Sequence, residues 1–441
     1  MAADRSRRIL AFEPYDGGSH RAVRESISRH SRHEWRWLTR PARAWKWRMR
    51  LGALELLEQA AGAGELERPI EAIFATSLLS LADLIAGLPP ALRGTPAILY
   101  MHENQIAYPR GDEHRGEEAG RRARTAGDSE DAHSGAGVGS CGGEGSGDRS
   151  CVDVDSGADT SGGGRDVHFA LTNLTSILAA DRVIFNSDWN RRSFIEGIEA
   201  VLRHAPDGRL KDVARRVSDR SEVIWPPVEP PPPETRRSDV LRSKGPFAEG
   251  GPAVPLAGHD RGSEGRRRGE GEVLHKPNRV VWPHRWEHDK GPAELLKLAD
   301  RYTEALDLRW TILGEQFRRQ PAGFAEFRRR WADRIDHMGY EPDRAAYWGH
   351  LRRGDWVLST ARHEFFGIAV VEALLAGCLP WLPDRLSYPE LLPPSARGLT
   401  PLEPPSDGER VRAAIAAHLE PALAPNAVAR LDDAIERTVR S

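Results

Sequence analysis

Short apolar segments that alternate with longer amphipathic segments constrain the fold of this chain more than any other feature. Eight of them have the length and apolar content of buried strands: 9–12, 72–75, 97–100, 182–185, 280–282, 310–313, 335–337 and 356–358. Helical periodicity is clearest at 292–305, 325–334 and 411–419. Strands that alternate with helices in this way predict α/β architecture, with parallel sheets covered by helices on both faces.

Two segments of biased composition interrupt this pattern. Residues 111–165 are rich in Gly, Ser and Asp and almost free of apolar residues, a composition that predicts a disordered insertion. Residues 229–277 begin with four consecutive prolines at 230–233 and predict an extended Pro/Gly/Arg-rich linker. We therefore predict an N-terminal domain over 1–228, a linker over 229–277 and a C-terminal domain over 278–441, the two doubly wound domains facing one cleft.

Several classes of protein are disfavoured by composition. No apolar run is long enough to span a membrane, and the N-terminus passes into the first strand without a signal-peptide core. Two of the three cysteines, Cys141 and Cys151, lie in the biased segment, so a disulfide framework is not expected. No Cys/His cluster has the spacing of zinc ligands. We expect a cytoplasmic protein without a metal or other cofactor, and the sequence indicates no protein partner.

Two glutamates separated by seven residues, Glu364 and Glu372, bracket a turn and the start of an apolar helix. The backbone N–H groups of Phe366, Gly367 and Ile368 would be free at that start, where the helix dipole favours a phosphate. Amides that bind a diphosphate, beside carboxylates that bind sugar hydroxyls, predict a nucleotide-sugar site in the C-terminal domain. An ordinary amphipathic helix with two solvated acids is the alternative.

Cations follow the first strand of the C-terminal half. Arg285 and Lys290 are placed to neutralise a diphosphate leaving group, Arg285 by its planar guanidinium and Lys290 as a point charge. The alternative is a surface loop whose cations pair with Glu287 and Asp289.

Polar residues also follow two strands of the N-terminal half. Gly17 and Gly18 come after the first strand and predict a loop that closes over phosphates, with a plain turn and helix start as the alternative. His102, Glu103 and Asn104 come after the strand at 97–100. We predict that His102 contacts a sugar hydroxyl and that Glu103 and Asn104 orient an acceptor, although a lone histidine is more often structural.

Basic and aromatic residues are interleaved near the N-terminus. Residues 21–50 contain ten Arg and Lys residues against Glu25 and Glu34, together with four tryptophans. Such a pattern suits an RNA surface or a nucleotide pocket, and Trp45 and Arg48 are the residues we assign to acceptor binding. The alternative is a solvated helix face with tryptophans in the core.

Taken together, these segments resemble the tRNA-queuosine alpha-mannosyltransferase family. The resemblance rests on residues 45–50, 102–109, 185–187, 189–190, 225–227, 282–290 and 364–372. It implies the GT-B fold and retaining transfer of mannose from GDP-mannose to queuosine at the wobble position of an aspartate tRNA. It also implies that Glu364 contacts the donor sugar and Glu372 the ribose. We assign catalytic roles to His102, Arg285, Lys290 and Glu364. The insertion after residue 109, close to where an acceptor would enter, departs from the family pattern.

Two other functions fit the same residues. One is a retaining GT-B glycosyltransferase that uses another nucleotide sugar and a glycan, lipid or small-molecule acceptor. A lipid acceptor is disfavoured because the chain lacks an evident amphipathic membrane helix. The other is a catalytically silent RNA- or nucleotide-binding protein, which would have little reason to keep Arg285, Lys290 and the paired glutamates.

Overall fold

The computed structural model describes residues 5–107, 167–205, 210–233, 278–316 and 320–440. The predicted insertion at 111–165 lies outside the described residues, and of the predicted linker only 229–233 is described. Within the described residues the chain forms two parallel sheets, each covered by helices. None of the described helices is both long enough and apolar enough to cross a membrane.

The N-terminal sheet has six parallel strands in the order β2-β1-β3-β4-β5-β6. They are β1 (Arg8–Asp16), β2 (Glu34–Pro41), β3 (Ala72–Thr76), β4 (Ala97–Met101), β5 (Arg182–Phe185) and β6 (Ser221–Val223). The four strands predicted in this half are confirmed. The short β6 was not predicted. Nor was β2, because its alternating Trp and Arg residues were interpreted as a basic surface rather than as a half-buried edge strand.

Helices cover both faces of this sheet. They are α1 (Gly18–His30), α2 (Trp45–Gly62), α3 (Leu81–Gly87), α4 (Val167–Ala179), α5 (Asp188–Leu202) and α6 (Val213–Ser218). One apolar cluster includes Leu10 and Phe12 on one face of β1, and a second includes Ile9 and Ala11 on the other. A strand buried on both faces therefore places its carboxyl end, rather than its flanks, within reach of a ligand.

The C-terminal sheet has five parallel strands in the order β11-β10-β7-β8-β9. They are β7 (Asn278–Pro283), β8 (Leu308–Leu313), β9 (Ile335–Gly339), β10 (Trp356–Leu358) and β11 (Leu379–Trp381). Its helices are α7 (Pro292–Tyr302), α8 (Ala322–Trp331), α9 (Arg344–Arg353), α10 (Ile368–Leu375) and α11 (Gly408–Leu419). The strands and helices predicted in this half are confirmed, with helix ends displaced by up to three residues.

The last helix, α12 (Ala424–Arg440), returns to the N-terminal sheet. Its apolar face, including Leu431 and Ile435, joins the cluster that contains Ile9. Asp432 accepts hydrogen bonds from the hydroxyl of Ser31 at 2.7 Å and the backbone N–H of Arg32 at 2.9 Å. The predicted domain boundaries assigned all of 278–441 to the C-terminal domain. They did not predict that the last helix packs on the N-terminal sheet. Periodicity shows that a helix is amphipathic but not which sheet it covers.

The two sheets meet with their carboxyl edges facing one cleft. Glu390 of the C-terminal half accepts hydrogen bonds from the backbone N–H groups of Asp188, at 2.9 Å, and Trp189, at 3.4 Å. These groups open α5, directly after β5, so a carboxylate of one half stabilises the helix start of the other. The ring of Trp189 also packs against Phe365, at 5.5 Å between centroids. The loops after β5 and β10 are thereby held together at one end of the cleft.

Candidate functional site

Lys290 is held by several contacts on the C-terminal side of the cleft. Its ammonium is buried and lies 2.8 Å from the carbonyl oxygen of His363, 3.1 Å from Asp289 and 3.3 Å from Glu364. Burial lowers the pKa of Lys290, but the two carboxylates raise it by more, so the group stays charged. The prediction that the cations pair with neighbouring acids is confirmed for Lys290, yet this lysine is buried rather than on a surface loop.

The backbone around Lys290 is fixed by close contacts with the loop after β10. The hydroxyl of Thr360 accepts from the indole N–H of Trp282 at 2.9 Å and donates to the carbonyl oxygen of Lys290 at 2.8 Å. Gly291 follows with φ of +68°, and a Cβ there would lie 2.2 Å from the carbonyl oxygen of Thr360. Only glycine fits this position, which brings Lys290 against Glu364.

The start of α10 presents backbone amides to the same cleft. Gly367 precedes the helix with φ of +94° and offers no side-chain cap. Among the described residues, no group accepts a hydrogen bond from the N–H of Phe366, Gly367 or Ile368. The predicted arrangement of unbonded amides at a helix start is therefore present beside Glu364.

Glu372, the second glutamate of the pair, is buried and already bound. It accepts a hydrogen bond from the hydroxyl of Tyr347 at 2.7 Å and pairs with the guanidinium of Arg344. Both partners belong to α9. Their contacts hold the carboxylate in one orientation, and its predicted contact with a ribose stays a prediction.

His284 follows β7 directly and was not singled out by the sequence analysis. It is buried, and among the described residues its Nε2 has no hydrogen-bond partner, while its Nδ1 lies 4.0 Å from Glu364. Burial lowers the pKa of His284 to about 3, and the charges of Lys290 and Arg285 act in the same direction. Its position at the carboxyl end of a buried strand was the signal that could have identified it.

Arg285, the next residue, points to the open cleft. Its side chain is 48% exposed and lies 3.2 Å from Glu287, as the surface-loop interpretation predicted. It nevertheless acts across the cleft. Burial raises the pKa of Tyr15, which lies at the end of β1, and the charge of Arg285 opposes that rise. An exposed guanidinium can bind a phosphate without first breaking a buried ion pair.

A cluster of Glu13, His20 and His102 occupies the N-terminal side of the cleft. The His20 Nδ1 lies 3.1 Å from a Glu13 oxygen, and the imidazole ring of His20 packs in a tilted orientation against that of His102, with 4.1 Å between centroids. Burial lowers the pKa of His20, but Glu13 raises it by more, whereas burial and the neighbouring His20 lower the pKa of His102. His20 is therefore the more easily protonated of the two histidines. The sequence analysis identified His102 but missed its two partners.

The structure does not leave Asn104 available to an acceptor. It is fully buried, donates to Asn190 at 2.7 Å and Ser193 at 3.2 Å, and accepts from the backbone of Ala107 at 2.9 Å. The acceptor role predicted for Asn104 is therefore wrong, because all of its hydrogen-bonding groups hold the loop after β4 onto α5. Glu103 is partly exposed and lies 4.0 Å from His20. Its predicted role in orienting an acceptor stays a prediction.

Gly17 and Gly18 form the start of α1. Gly17 is extended and precedes the helix, and a Cβ there would lie 2.4 Å from the Cβ of Ala42. Gly18 has φ of +51°. The plainer prediction of a turn and helix start is confirmed, while closure over phosphates stays a prediction.

The comparisons with known proteins agree with this geometry. A family model described as tRNA-queuosine alpha-mannosyltransferase N-terminal matches residues 8–122 and 159–228. The tRNA-queuosine alpha-mannosyltransferase of Drosophila melanogaster is 29% identical over 387 residues, which cover 87% of this chain and 81% of that protein. The chain therefore resembles the tRNA-queuosine alpha-mannosyltransferase family over most of its length. These matches support a hexosyltransferase.

Solved structures show the fold of this chain. The N-terminal domain of Candida albicans trehalose-6-phosphate phosphatase aligns with a TM-score of 0.56 at 10% identity, over 99% of this chain and 98% of that one. The UDP-forming alpha,alpha-trehalose-phosphate synthase from Burkholderia xenovorans aligns with a TM-score of 0.52 at 12% identity, over 99% of both chains. With two facing parallel-sheet units, the fold is GT-B, as predicted.

The basic and aromatic segment at 21–50 divides into core and surface residues. Trp35 and Trp37 on β2 pack edge-on against Phe74, at 5.1 and 5.8 Å, so the core interpretation is correct for them. Arg48 is buried and pairs with Glu55, which contradicts its predicted contact with an acceptor.

Trp45, also assigned to the acceptor, is only half-exposed because its ring packs on Phe169 at 5.1 Å. Trp47 is instead the tryptophan on the surface, with 59% of the residue exposed. Helical geometry places Trp47 and Arg48 on different faces of α2, which the linear pattern did not resolve.

Buried neutral histidines predict how stability depends on pH. Burial lowers the pKa of His102, of His284 to about 3 and of His363 to about 4. Their folded pKa values lie below the ordinary value of about 6.5, so the unfolded chain binds more protons in the interval between. This stabilisation is present above about pH 6.5 and is lost as the pH falls toward the folded values. We expect the free energy of unfolding to drop by about 1 kcal/mol per histidine between about pH 7 and pH 5.5.

Urea unfolding at the two pH values measures this dependence. His284→Gln should remove the contribution of one histidine from the slope. An identical slope in His284→Gln and the parent protein would contradict the assignment of His284 as a buried neutral group.

Proposed function

We propose that this enzyme transfers mannose from GDP-mannose to queuosine at the wobble position of an aspartate tRNA, with retention of the anomeric configuration. The observation that carries the proposal is the Lys290–Glu364 pair beside the start of α10, together with the His20–His102 pair at the carboxyl end of the N-terminal sheet. The name of the Drosophila relative supports the acceptor and the sugar. Because the acceptor is a tRNA, the cytoplasm is the expected compartment.

The C-terminal side of the cleft would bind the diphosphate. Negative charge grows on the leaving diphosphate as the glycosidic bond breaks, so groups that bind this charge stabilise the transition state more than the bound donor. Arg285, the ammonium of Lys290 and the amides of Phe366–Ile368 supply such groups. Since these cations and amides provide the stabilisation, we assign no metal or cofactor to the transfer.

The sugar would lie between the two halves. Glu364 would accept from the mannose hydroxyls, and its contact with Lys290 fixes the orientation of the carboxylate. His102 would contact the sugar from the opposite side as a neutral imidazole, since its low pKa keeps it uncharged. Glu372, fixed by Arg344 and Tyr347, would accept from the ribose, and Gly17 and Gly18 would close over the phosphates.

In the reaction, a hydroxyl of the queuosine cyclopentenediol would attack the anomeric carbon from the face on which the diphosphate leaves. The bond from that carbon to the diphosphate oxygen breaks, and a new bond to the hydroxyl oxygen forms. The proton of the hydroxyl passes to the departing diphosphate oxygen, so GDP and the mannosylated nucleoside are the products. The step needs no separate protein base, and Glu103 would orient the attacking hydroxyl.

A surface at the start of α2 suits the tRNA. Arg43, Lys46, Trp47 and Arg50 are exposed there, a few residues after the carboxyl end of β2. Cations bind the phosphate backbone, and an exposed indole stacks on an unpaired base. The wobble base belongs to a single-stranded loop, the form of RNA in which bases are accessible to such stacking.

Trp47→Ala tests this surface. Loss of one stacked base costs about 1–3 kcal/mol, so we expect the KM for tRNA to rise about tenfold with little change in kcat. Steady-state transfer over a range of tRNA concentrations measures both constants. Leu54→Ala, which removes another exposed apolar side chain from the same helix, is the matched control. If both variants keep the parent KM, this surface does not bind the tRNA.

Nucleoside mass analysis tests the proposed function. The protein is incubated with queuosine-containing aspartate tRNA and, separately, GDP-mannose, GDP-glucose or UDP-glucose, and the tRNA is then digested. We expect one hexose on queuosine with GDP-mannose only. Transfer from UDP-glucose would show that the donor is UDP-glucose rather than GDP-mannose. Donor turnover that leaves queuosine unmodified would favour a glycan, lipid or small-molecule acceptor.

A further inference from the structure

A second group of polar side chains lies at the carboxyl end of β9, outside the residues assigned to transfer. It consists of His337 in β9, Glu341 in the following loop and His350 on α9. One ligand atom of each lies within 4.8 Å of the other two, and the imidazole rings are 4.1 Å apart between centroids. All three residues are half-buried, so the cluster is accessible to small solutes but shielded from bulk solvent.

We propose that His337, Glu341 and His350 bind a zinc ion. Two imidazoles and one carboxylate are a donor set that zinc takes readily, with water in the fourth position. Calcium and magnesium prefer oxygen ligands and would not favour two imidazoles. The proposal is independent of the reaction and of the acceptor.

The spacing of the ligand atoms is close to that of a zinc site. Atoms bound at about 2.0–2.1 Å to a tetrahedral zinc lie about 3.3 Å from one another. The Nε2 of His350 is 3.6 Å from a carboxylate oxygen of Glu341. Small side-chain rotations therefore complete the site, since Glu341 lies in a loop before α9 rather than in a strand or helix.

Arg353 controls which nitrogen of His350 can bind the ion. Its guanidinium lies 2.8 Å from the Nδ1 of His350, and because arginine only donates, Nδ1 is the acceptor and Nε2 carries the hydrogen. For zinc to bind at Nε2, the hydrogen has to move from Nε2 to Nδ1. A protonated Nδ1 can no longer accept a hydrogen bond, so Arg353 has to move away from it. The side chain of Arg353 is exposed and can turn into solvent. The arginine is thus a competitor of the metal through both the tautomer and its charge.

The site would connect two elements that matter to the donor pocket. Zinc would tie β9 to α9, and α9 carries Arg344 and Tyr347, which hold Glu372. The sequence did not indicate the site because His337, Glu341 and His350 are separated by three and eight residues, which is not a familiar zinc spacing. The turn from β9 into α9 brings them together.

Zinc titration of the full chain tests the proposal. Protein stripped with a chelator and then freed of it is titrated with Zn²⁺ in competition with a chromophoric chelator, and the zinc content is measured after dialysis. We expect one zinc per chain, a higher melting temperature with zinc, and about a hundredfold weaker binding in His337→Ala and Glu341→Gln. Arg353→Ala is expected to bind zinc several-fold more tightly than the parent chain.

The controls separate this site from other histidines. His204→Ala changes an exposed histidine of the N-terminal half and should bind zinc like the parent protein. His20→Ala tests the cluster of Glu13, His20 and His102, whose ligand atoms also lie within 4.8 Å of one another. Loss of zinc in His20→Ala but not in His337→Ala, or equal binding by all variants, would overturn the proposal. Circular dichroism of the apo variants shows that lost binding does not reflect unfolding.

Discussion

Lys290→Ala is expected to lower turnover about a hundredfold, a loss of about 3 kcal/mol of transition-state stabilisation. The buried ammonium lies 3.3 Å from Glu364 and beside the amides that open α10. Without the ammonium of Lys290, the negative charge that grows on the leaving diphosphate is no longer stabilised by this buried cation. The loss should appear mainly in kcat, because Arg285 and the amides still bind the donor.

Lys297→Ala is the matched control for this substitution. Lys297 lies seven residues further on, on α7, and its side chain is 76% exposed. Its removal should leave turnover unchanged. Because Lys290→Ala also leaves Glu364 and Asp289 without their cation, thermal unfolding and the affinity for GDP are measured on the same samples. A folded Lys290→Ala variant with parental turnover and GDP affinity would show that Lys290 does not act on the phosphates.

Gly314→Ala is expected to destabilise the protein by about 3 kcal/mol or more. Gly314 directly follows β8 and has φ of +130°, a conformation essentially restricted to glycine. A Cβ there would lie 1.9 Å from the carbonyl oxygen of His284 and 3.2 Å from the backbone nitrogen of Arg285. The backbone of His284 and Arg285 would have to move, so turnover should fall together with stability.

Urea unfolding and steady-state transfer measure the two effects of Gly314→Ala. Gly62→Ala provides the control, since a Cβ at Gly62 meets nothing within 4 Å and the residue ends α2. It should leave stability within about 1 kcal/mol of the parent. Equal unfolding midpoints for the two variants would show that the loop after β7 adapts freely, which would contradict the rigid positioning of Arg285.

The fold could be predicted from the sequence where the pattern has a single interpretation. Fully buried parallel strands such as β1 and β7 are continuous apolar runs and were predicted. The edge strand β2 alternates Trp35 and Trp37 with arginines, and the same letters also describe a basic surface. The packing of α12 on the N-terminal sheet could not be predicted, because amphipathicity does not specify which sheet a helix covers.

The site could be predicted in part for a similar reason. Chemically distinctive residues at strand ends, such as Lys290 and His102, were identified because ligands bind at the carboxyl edges of parallel sheets. Contacts between residues that are distant in the sequence were not predicted. Neither the contact between Lys290 and Glu364 nor the packing of His20 against His102 can be predicted from local spacing. Asn104 was misassigned because its polarity was visible in the sequence while its burial was not.

The most direct test of the account compares two forms of one tRNA. Aspartate tRNA with queuosine and the same tRNA with guanosine at the wobble position are each incubated with labelled GDP-mannose and the parent enzyme, and with Lys290→Ala as a control. We predict label on the queuosine-containing tRNA alone, retained in the queuosine nucleoside after digestion, and reduced about a hundredfold by Lys290→Ala. Equal labelling of both tRNAs, or GDP release without label on either, would contradict the proposed acceptor.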